Sequence, residues 1–290
     1  MKAYVFPGQG AQFPGMAKNL ADNDIAREYF SIAHRILGFD ILSVMVDGSE
    51  ADLKQTRITQ PAIFLHSVIA SKIAEHFSPQ VVAGHSLGEF SALVASGAML
   101  FEEGLSLVLT RAVAMQKACD LTPGTMAAII GMEDSVVENV CADIDGIVVP
   151  ANYNCPGQLV ISGEVAAVEA AMEKLKELGC RNAIKLPVGG AFHSPLMALA
   201  EAELKAGIER ANIQVPSCPI YQNIDAKPHS DPDEIRVNLL KQLTGPVKWS
   251  QTIQQMIADG VSEFIEVGGN GKVLSGLIKK VDRKMLVRNI

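Results

Sequence analysis

The sequence predicts a mixed α/β protein in which a mainly parallel sheet is covered by helices and interrupted by a smaller unit. Two observations predict this class. Short apolar strand candidates alternate with helical patterns over most of the chain, and one internal stretch follows a different order of strands and helices. With 290 residues, of which 48% are hydrophobic and 20% charged, the chain can bury a large core, which excludes a mainly disordered protein.

The elements near the amino terminus follow the order expected for a parallel sheet. We expect a first strand over Ala3–Phe6 and a helix that begins near Thr59–Pro61, where proline suits the first turn. A strand over Gln80–Ala83 is followed by a glycine-flanked loop and by a helix that ends near Gly97. The helix Glu103–Cys119 continues an alternation that is typical of parallel strands joined by helical crossovers.

The stretch between Pro123 and Val188 has a different order of elements. Its strand candidates are Met126–Ile130, Ile147–Ala151, Leu159–Ser162 and Ala183–Leu186, and its helix candidates are Glu133–Ala142 and Val165–Leu178. The order β-α-β-β-α-β is the ferredoxin-like pattern. We therefore predict an inserted subdomain over residues 123–188 and a larger subdomain made of residues 1–122 and 189–290.

Charge, cysteine spacing and hydropathy exclude several classes of protein. The 25 Lys and Arg residues against 32 Asp and Glu give a net charge of -7 without a long basic run, so we expect no nucleic-acid partner. Five scattered cysteines without a C-x-x-C pair predict neither a disulfide framework nor a metal site, and indicate a reducing compartment. Because no apolar run approaches ~18 residues, we expect a cytoplasmic protein without a membrane partner, and a monomer by default.

The strongest local motif is Gly84-His85-Ser86-Leu87-Gly88, a G-x-S-x-G between a strand and a helix. This is the setting that a nucleophile elbow requires. The two glycines permit a tight turn that exposes the Ser86 hydroxyl, and the Leu87 N–H at the helix start is free to donate to an oxyanion. The alternative is a glycine-flanked serine in an ordinary strand-to-helix turn.

The six histidines differ in how well they could serve Ser86 as a base. Four of them suit ordinary surface or core positions: His34, His66, His76 and His229. His85 is adjacent to Ser86, where neighbouring side chains diverge. His193 follows the small-residue loop 188–192 and precedes a helix start at Ser194–Pro195, so its imidazole can face a cleft and take the serine proton. No Asp or Glu stands out as a third member, and a backbone carbonyl or amide could orient the imidazole instead.

Arg111 is unusual because it lies within an apolar helical stripe. That stripe is formed by Leu107, Val108, Met115 and Ala118. A guanidinium on a buried face needs an anion or several acceptors. Two interpretations stay open at this point, a structural salt bridge to a nearby acid and a substrate-binding role.

The loop after the first strand contains Gly8-Gln9-Gly10, which suggests a dinucleotide-binding turn. The third glycine of that fingerprint is absent because position 13 is Phe13, so a nucleotide-binding α/β protein is disfavoured. The loop could instead bring the Gln9 N–H opposite the Leu87 N–H. Two such donors would form an oxyanion hole.

Several motifs occur in a fixed order along nearly the whole chain. They are Phe6-Pro7-Gly8-Gln9-Gly10, Thr59-Gln60-Pro61-Ala62, Gly84-His85-Ser86-Leu87-Gly88-Glu89-Phe90, Arg111, Gly190-Ala191-Phe192-His193-Ser194, Gln242-Leu243-x-x-Pro246-Val247-x-Trp249, Glu266-Val267-Gly268 and Gly271-Lys272-Val273-Leu274. Together they resemble the malonyl-CoA:acyl carrier protein transacylases. The resemblance implies an α/β-hydrolase-like larger subdomain with a ferredoxin-like insert.

The resemblance also implies catalytic roles for individual residues. Ser86 would be the nucleophile and His193 its base, while the backbone carbonyl of Gln242 would orient the imidazole. The N–H groups of Gln9 and Leu87 would form the oxyanion hole.

For substrate binding, the resemblance implies that Arg111 holds the free malonyl carboxylate in a bidentate pair. Phe192 would leave little room for a branched acyl group, and Met115, on the same helix stripe as Arg111, is a further substrate-binding candidate. One departure from the family concerns residues 266–272, where the chain reads Glu-Val-Gly-Gly-Asn-Gly-Lys. This segment is one residue longer than the usual family sequence and lacks its proline, which predicts a more flexible loop at the edge of the substrate cleft.

The activity implied by the resemblance is transfer of a malonyl group from malonyl-CoA to the phosphopantetheine thiol of an acyl carrier protein, through a malonyl-serine. No permanently bound cofactor or metal is expected, since the coenzyme A thioester is a substrate and the phosphopantetheine belongs to the carrier. Fatty acid synthesis is the commoner role. The alternatives are a trans-acting acyltransferase of a polyketide synthase, a serine thioesterase or esterase, and a non-catalytic scaffold.

Overall fold

A computed structural model describes all 290 residues and confirms the predicted fold class. Six strands form the main sheet: β1 (Lys2–Phe6), β2 (Val81–Gly84), β7 (Ile220–Tyr221), β8 (Pro228–His229), β9 (Glu263–Glu266) and β10 (Leu286–Asn289). Their spatial order is β10-β9-β1-β2-β7-β8, and only the β7–β8 pair is antiparallel. The central strand β1 is therefore flanked on both sides by parallel neighbours.

Helices cover both faces of this sheet, except for two that pack on the second sheet described below. The helices are α1 (Asp24–Leu37), α2 (Ile41–Asp47), α3 (Glu50–Leu53), α4 (Thr56–Ile73), α5 (Gly88–Ala95), α6 (Phe101–Leu121), α7 (Asp134–Asp143), α8 (Val165–Glu177), α9 (Ala198–Arg210), α10 (Pro232–Gln242), α11 (Trp249–Ala258) and α12 (Val273–Val281), with a 3₁₀-helix at Pro195–Met197. The two exceptions are α7 and α8. Ala3 and Val5 of β1 pack against α11 and α12, whereas Tyr4 and Phe6 join the larger core on the other face. Burial on both faces explains why β1 is a continuous apolar run rather than an alternating one.

A second sheet of four antiparallel strands lies between Gly124 and Lys185. Its strands are β3 (Gly124–Ile130), β4 (Val148–Cys155), β5 (Gln158–Glu164) and β6 (Asn182–Lys185). Their order is β4-β5-β3-β6, which is the ferredoxin-like arrangement. One face of the sheet packs on α7 and α8, and the other contributes Met126, Ala128 and Val160 to the larger core. The exact subdomain limits at 122/123 and 188/189 stay predictions.

Backbone hydrogen bonds join β4 of the small sheet to the segment between α10 and α11. The N–H of Tyr153 in β4 donates to the carbonyl of Val247 over 2.9 Å, and the N–H of Val247 donates to the carbonyl of Ala151 over 2.8 Å. Val247 lies in the segment between α10 and α11, which follows Gln242. The small sheet is thereby held beside the segment that carries one of the predicted site residues.

One helix boundary differs from the prediction. The sequence predicts a start near Pro61, but α4 begins at Thr56 and contains Pro61 within it. Proline has no N–H, so the usual helical hydrogen bond from this position to the carbonyl four residues earlier is absent. The preceding turn forms because the N–H groups of Ile58 and Thr59 donate to the Gln55 carbonyl over 2.7 and 2.8 Å. The prediction relied on the preference of proline for the first turn of a helix, and it therefore placed the helix start about one turn too late.

None of the helices is by itself long and apolar enough to cross a membrane. Only α1 and α2 taken together reach the necessary length and composition, and they are bent by 117° relative to each other.

Candidate active site

Ser86 lies in the tight turn between β2 and α5. Its φ of +52° is in the left-handed region, a conformation that costs a non-glycine residue ~1–3 kcal/mol. Glycines on either side make the turn possible, because a Cβ on Gly84 would lie 1.9 Å from the carbonyl carbon of Gly88. A Cβ on Gly88 would in turn lie 2.1 Å from the Phe6 carbonyl oxygen. The turn therefore has the strained geometry of a nucleophile elbow.

The Ser86 hydroxyl and the His193 imidazole are hydrogen-bonded, with 2.7 Å between Oγ and Nε2. The Nδ1–H of His193 donates to the backbone carbonyl of Gln242 over 2.9 Å and to that of Gly245 over 3.1 Å. A carbonyl can only accept, so the proton of the neutral ring resides on Nδ1 and Nε2 is free to accept from Ser86. Ser86, His193 and the two carbonyls therefore have the connections that a nucleophile, a general base and an orienting acceptor require.

His193 is buried, and its surroundings oppose a positive charge. Burial, together with the nearby charge of Arg111, lowers the pKa of His193 to about 3 against the opposing effect of the two carbonyls. The imidazole is consequently neutral at physiological pH, which is the state that a general base needs. Its φ of +57° shows a second strained backbone position at the site.

Arg111, on α6, has only 1% of its surface exposed and forms no ion pair with an acidic residue. Its Nη1 donates to Gln60 Oε1 over 2.8 Å, and its Nη2 donates to Ser86 Oγ over 2.9 Å. The Nε atom is buried without an acceptor. Burial lowers the pKa of Arg111 to about 10, so the side chain remains charged at neutral pH. Of the two interpretations that the sequence leaves open, the structural salt bridge has no partner in this site.

The loop after β1 lies directly beside the elbow. Phe6 is paired with Gly84 at the ends of β1 and β2, so both loops leave the sheet at the same edge. Gly8 allows close contact, since a Cβ there would lie 2.5 Å from the His85 carbonyl oxygen. The N–H groups of Gln9 and Leu87 donate to no acceptor within the protein. Two unpaired donors on adjacent loops are what an oxyanion hole requires.

A cavity of about 120 Å³ opens at Ser86. It is lined by Gln9, His85, Ser86, Leu87, Arg111, Met115, Met126, Asn152, Leu186, Val188, Phe192 and His193. All the predicted site side chains therefore meet at this cavity except that of Gln242, whose backbone carbonyl contacts His193 Nδ1 instead. Met115 Sδ accepts a hydrogen bond from Gln60 Nε2 over 3.3 Å, and Phe192 is nearly buried in the wall. No group of His, Cys, Asp or Glu side chains in the protein is arranged to hold a metal ion.

His85 does not contact the Ser86 hydroxyl. Its Nε2 is 2.9 Å from Asn154 Oδ1, and its ring packs edge-on against Trp249. The side chains of His85 and Ser86 therefore diverge, as expected for neighbouring residues in such a turn.

The segment at 268–271 packs behind the oxyanion loop rather than at the cavity. Its three glycines have φ values of +79°, +62° and +64°. The Gly269 N–H donates to His66 Nδ1 over 3.0 Å, and a Cβ at Gly269 would lie 2.8 Å from Ala11 Cβ. None of these residues lines the cavity at Ser86, and an effect of the loop on the edge of the substrate cleft stays a prediction. The glycines permit close contacts here, since a Cβ at Gly268 would lie 2.7 Å from Ser67 Cα and one at Gly271 would lie 2.4 Å from Asn289 Nδ2.

Three further residues contact the site although no sequence pattern assigns them a role. Gln60 accepts from Arg111, while Glu89 and Asn223 form hydrogen bonds around the elbow. Gln60 and Glu89 stand within motifs that carry the family resemblance, which is a signal that could have found them. Asn223 has no such signal, because it is 137 positions from Ser86 and follows a two-residue strand.

A strained serine at a strand-to-helix turn, paired with a neutral imidazole, is typical of enzymes that transfer acyl groups through a serine ester. The chain matches the acyl transferase domain family over residues 3–288. It is 40% identical to the malonyl CoA-acyl carrier protein transacylase of Staphylococcus aureus strain MW2 over 292 aligned positions, which cover 99% of this chain and 94% of that relative.

Solved structures agree with this match. The acyl-carrier-protein S-malonyltransferase of Burkholderia pseudomallei has a TM-score of 0.95 and 40% identity, covering 100% of this chain and 95% of that chain. A malonyl-transacylase solved in complex with a type II PKS acyl-carrier protein has a TM-score of 0.94 and 35% identity, with the same coverage. The chain belongs to the acyl transferase family and, within it, to the malonyl-CoA:acyl carrier protein transacylases.

Proposed function

We propose that this chain transfers the malonyl group of malonyl-CoA to the phosphopantetheine thiol of an acyl carrier protein, through a malonyl ester of Ser86, and that it supplies fatty acid synthesis. His193 is the general base and the Gln242 carbonyl orients it. The N–H groups of Gln9 and Leu87 bind the oxyanion.

The observation that carries this proposal is the buried guanidinium of Arg111 beside the nucleophile. It forms no ion pair with an acidic residue, and its Nε has no acceptor. Burial lowers its pKa, and the only opposing charge is the nearby carboxyl group of Glu89, which it does not contact directly. A buried cation without a directly paired anion is costly, so the site favours an acyl group that brings its own anion. The malonyl carboxylate is one methylene away from the thioester carbonyl. It can pair with the guanidinium while the carbonyl carbon faces Ser86 Oγ.

In the first half-reaction, Ser86 Oγ attacks the thioester carbon while His193 Nε2 accepts the hydroxyl proton. The oxygen of the tetrahedral intermediate becomes an oxyanion between the N–H groups of Gln9 and Leu87. A donor of this kind is worth ~2.7–4 kcal/mol in the transition state of acyl transfer. The carbon–sulfur bond then breaks, and the coenzyme A sulfur leaves with the proton that His193 returns.

The second half-reaction reverses these steps with a different thiol. The phosphopantetheine thiol gives its proton to His193 Nε2 and attacks the ester carbon of malonyl-Ser86. The Ser86 oxygen leaves and recovers the proton. Thioester and ester are close in energy, so both half-reactions are reversible.

Whether a thiol rather than water attacks the acyl-serine ester depends on how well the cavity excludes water. Apolar side chains form much of its wall: Met115, Met126, Leu186, Val188 and Phe192. Such a wall excludes water and positions the incoming thiol in contact with the ester. We therefore assign this site to acyl transfer rather than to a thioesterase or esterase.

We further propose that no cofactor is permanently bound, with coenzyme A entering as part of a substrate and phosphopantetheine as part of the carrier. A cytoplasmic location is supported by the five cysteines, all of which are free thiols. The protein would act as a monomer, since the site is built from one chain.

Intact-protein mass spectrometry tests the proposal. Brief incubation with malonyl-CoA should add one malonyl group to the wild-type protein and none to Ser86→Ala, and a pantetheinylated carrier should then remove it. Release of coenzyme A without an adduct would indicate a hydrolase. The similarity to a transacylase solved with a polyketide carrier makes that pathway the second candidate. Faster transfer to a polyketide carrier than to a fatty-acid carrier would favour it.

A further inference from the structure

A buried acidic residue, Glu89, lies behind the nucleophile and has no part in the chemistry described above. It is in the first turn of α5, three residues after Ser86, and only 1% of its surface is exposed. It forms no ion pair with a basic residue. Burying a carboxyl group is costly unless hydrogen bonds compensate it, so its contacts need an explanation.

The two oxygens of Glu89 contact two different segments of the chain. Oε1 accepts from the backbone N–H of Asn223, which follows β7. Oε2 accepts from the side-chain Nε2 of Gln242, at the end of α10. Both partners are buried, with 0% and 1% of their surfaces exposed. One carboxyl group thus connects α5 to two segments that are more than 130 positions later in the chain.

Both partners of Glu89 hold the backbone of the elbow. Asn223 Oδ1 accepts from the Ser86 N–H over 2.7 Å, and Asn223 Nδ2 donates to the Gly84 carbonyl over 2.7 Å. Gln242 Nε2 donates to the Ser86 carbonyl over 2.9 Å. Three backbone groups of the strained turn therefore depend on side chains that Glu89 positions. A strained φ such as that of Ser86 persists only where the surroundings hold it in several ways.

The same connection reaches the base. The backbone carbonyl of Gln242 accepts from His193 Nδ1, and this bond fixes the tautomer and ring orientation. The side chain of Gln242 is held by Glu89 and its carbonyl holds His193, so one residue links the carboxyl group to the imidazole. A displacement of Gln242 would move both the Ser86 backbone and the His193 ring, and so change the alignment of Ser86 Oγ with His193 Nε2.

We infer that Glu89 is a positioning residue for acyl transfer. Through Asn223 and Gln242 it fixes the position of the Ser86 turn relative to the Gln242 carbonyl that accepts from His193. It does not contact the reacting atoms, and it forms no hydrogen bond with Arg111, whose partners are Gln60 and Ser86. This inference rests on the roles proposed above for Ser86, His193 and Gln242.

The test is Glu89→Gln, which keeps the shape of the side chain but replaces one acceptor oxygen by a donor. That donor faces either the Asn223 N–H or Gln242 Nε2, so one of the two bonds is lost. We expect kcat for malonyl transfer to fall at least tenfold while KM for malonyl-CoA stays within about twofold, because the hydrogen bonds of Arg111 do not involve Glu89. The Nδ1–H proton resonance of His193, in protein labelled with ¹⁵N-histidine, should shift or broaden.

A matched control separates this role from a purely structural one. Glu266 is also a fully buried carboxylate, and it accepts from the Leu274 N–H and from the N–H and hydroxyl of Ser275. Glu266→Gln should lower Tm by a similar amount but leave kcat and the His193 resonance unchanged. Equal kcat losses in the two variants at equal loss of Tm would overturn the inference, as would an unchanged kcat in Glu89→Gln.

A second variant keeps the test decisive if Glu89→Gln does not fold. Gln242→Leu retains the backbone carbonyl and removes only the amide that Glu89 holds, and it should reduce kcat and shift the His193 resonance in the same way. Where both singles fold, the double variant should be no slower than the slower single, since the two residues act as one unit. Additive losses, or a Gln242→Leu enzyme with normal kcat, contradict the inference. Absence of any wild-type malonyl adduct would instead contradict the proposed function.

Discussion

The guanidinium of Arg111 and the hydroxyl of Ser86 are hydrogen-bonded to each other, with Nη2 donating to Oγ over 2.9 Å. The same Oγ is 2.7 Å from His193 Nε2. A carboxylate that binds Arg111 competes with Oγ for the Nη2 donor. Under the role proposed for Arg111, binding of the malonyl carboxylate would therefore release Ser86 Oγ from one of its hydrogen bonds.

Arg111→Ala should reduce malonyl transfer selectively. The variant loses a charge-assisted pair worth ~1.5–3 kcal/mol, which corresponds to roughly a 10- to 150-fold lower kcat/KM for malonyl-CoA. Acetyl transfer, which needs no carboxylate site, should be retained in part. The measurement is coenzyme A release from the two donors, with Arg111→Lys as a variant that keeps the charge without the planar fork. Unchanged malonyl turnover would remove Arg111 from the site.

The proposed base, His193, should give acylation little pH dependence near neutrality. Burial and the charge of Arg111 lower the pKa of His193 to about 3, so protonation should not remove the base between about pH 5 and 8. We expect kcat/KM for coenzyme A release to stay flat over that range, and His193→Ala to be slower by roughly 10²- to 10⁴-fold. An acidic limb near pH 6.5 in the wild-type profile, absent from His193→Ala, would show that the imidazole titrates normally.

Phe192 is the residue that we propose limits the size of the acyl group. Its ring lies in the cavity wall, so Phe192→Leu should admit a methyl branch and lower the preference for malonyl-CoA over methylmalonyl-CoA by roughly tenfold. Competition between the two donors, read by mass spectrometry of the acyl-serine, measures the ratio. Phe90→Leu makes the same change in the core away from the cavity and should leave the ratio as it is. If both variants keep the wild-type ratio, Phe192 does not select the substrate.

Gly88 is required for the contact between the elbow and the oxyanion loop. In Gly88→Ala the new methyl group would lie 2.1 Å from the Phe6 carbonyl oxygen, so the loop that carries Gln9 must move away. We expect acyl-serine formation to fall at least a hundredfold, on the order of the loss of one oxyanion donor. Gly276→Ala, in α12, meets no atom within 4 Å and should stabilise the protein slightly without changing the rate.

His229 stabilises the fold in a pH-dependent way. Burial lowers its pKa, but hydrogen bonds to Glu234 Oε2 at 3.0 Å and Asp225 Oδ2 at 2.8 Å outweigh burial and raise the pKa above 6.5. A raised folded-state pKa gives stability that is fully present below 6.5 and is lost as the pH rises through the folded value. The Tm difference between wild type and His229→Gln should be about 2 °C larger at pH 6 than at pH 9. Equal Tm differences at pH 6 and pH 9 would show that the His229 ring forms these hydrogen bonds in its neutral form.

The sequence predicts the parts of the site that follow local rules. A serine with positive φ needs small neighbours, so Gly84 and Gly88 identify the turn from their spacing alone. Arg111 is conspicuous because a charge within an apolar stripe is costly. For Ser86 and Arg111 the position in the structure agrees with the position that the sequence pattern predicts, although their catalytic and binding roles stay proposals.

The parts that depend on distant contacts could not be predicted in the same way. Gln242 contributes a backbone carbonyl, which every residue has, so only the family resemblance identifies it. Asn223 holds the elbow from 137 positions away, and an amide in a polar segment has no periodicity that marks it. The predicted helix start near Pro61 is wrong for a related reason, since a local preference of proline is overridden by a turn that forms five residues earlier.

The pairing of β1 has a consequence for how the protein is made. This strand, residues 2–6, has one partner at residues 81–84 and the other at residues 263–266. During synthesis the first partner is available early, but the second is translated much later. Until then β1 presents an open edge, and the loop that carries Gln9 is supported on one side only. Nascent chains that end before residue 263 should therefore bind chaperones more readily than chains that include residues 263–266.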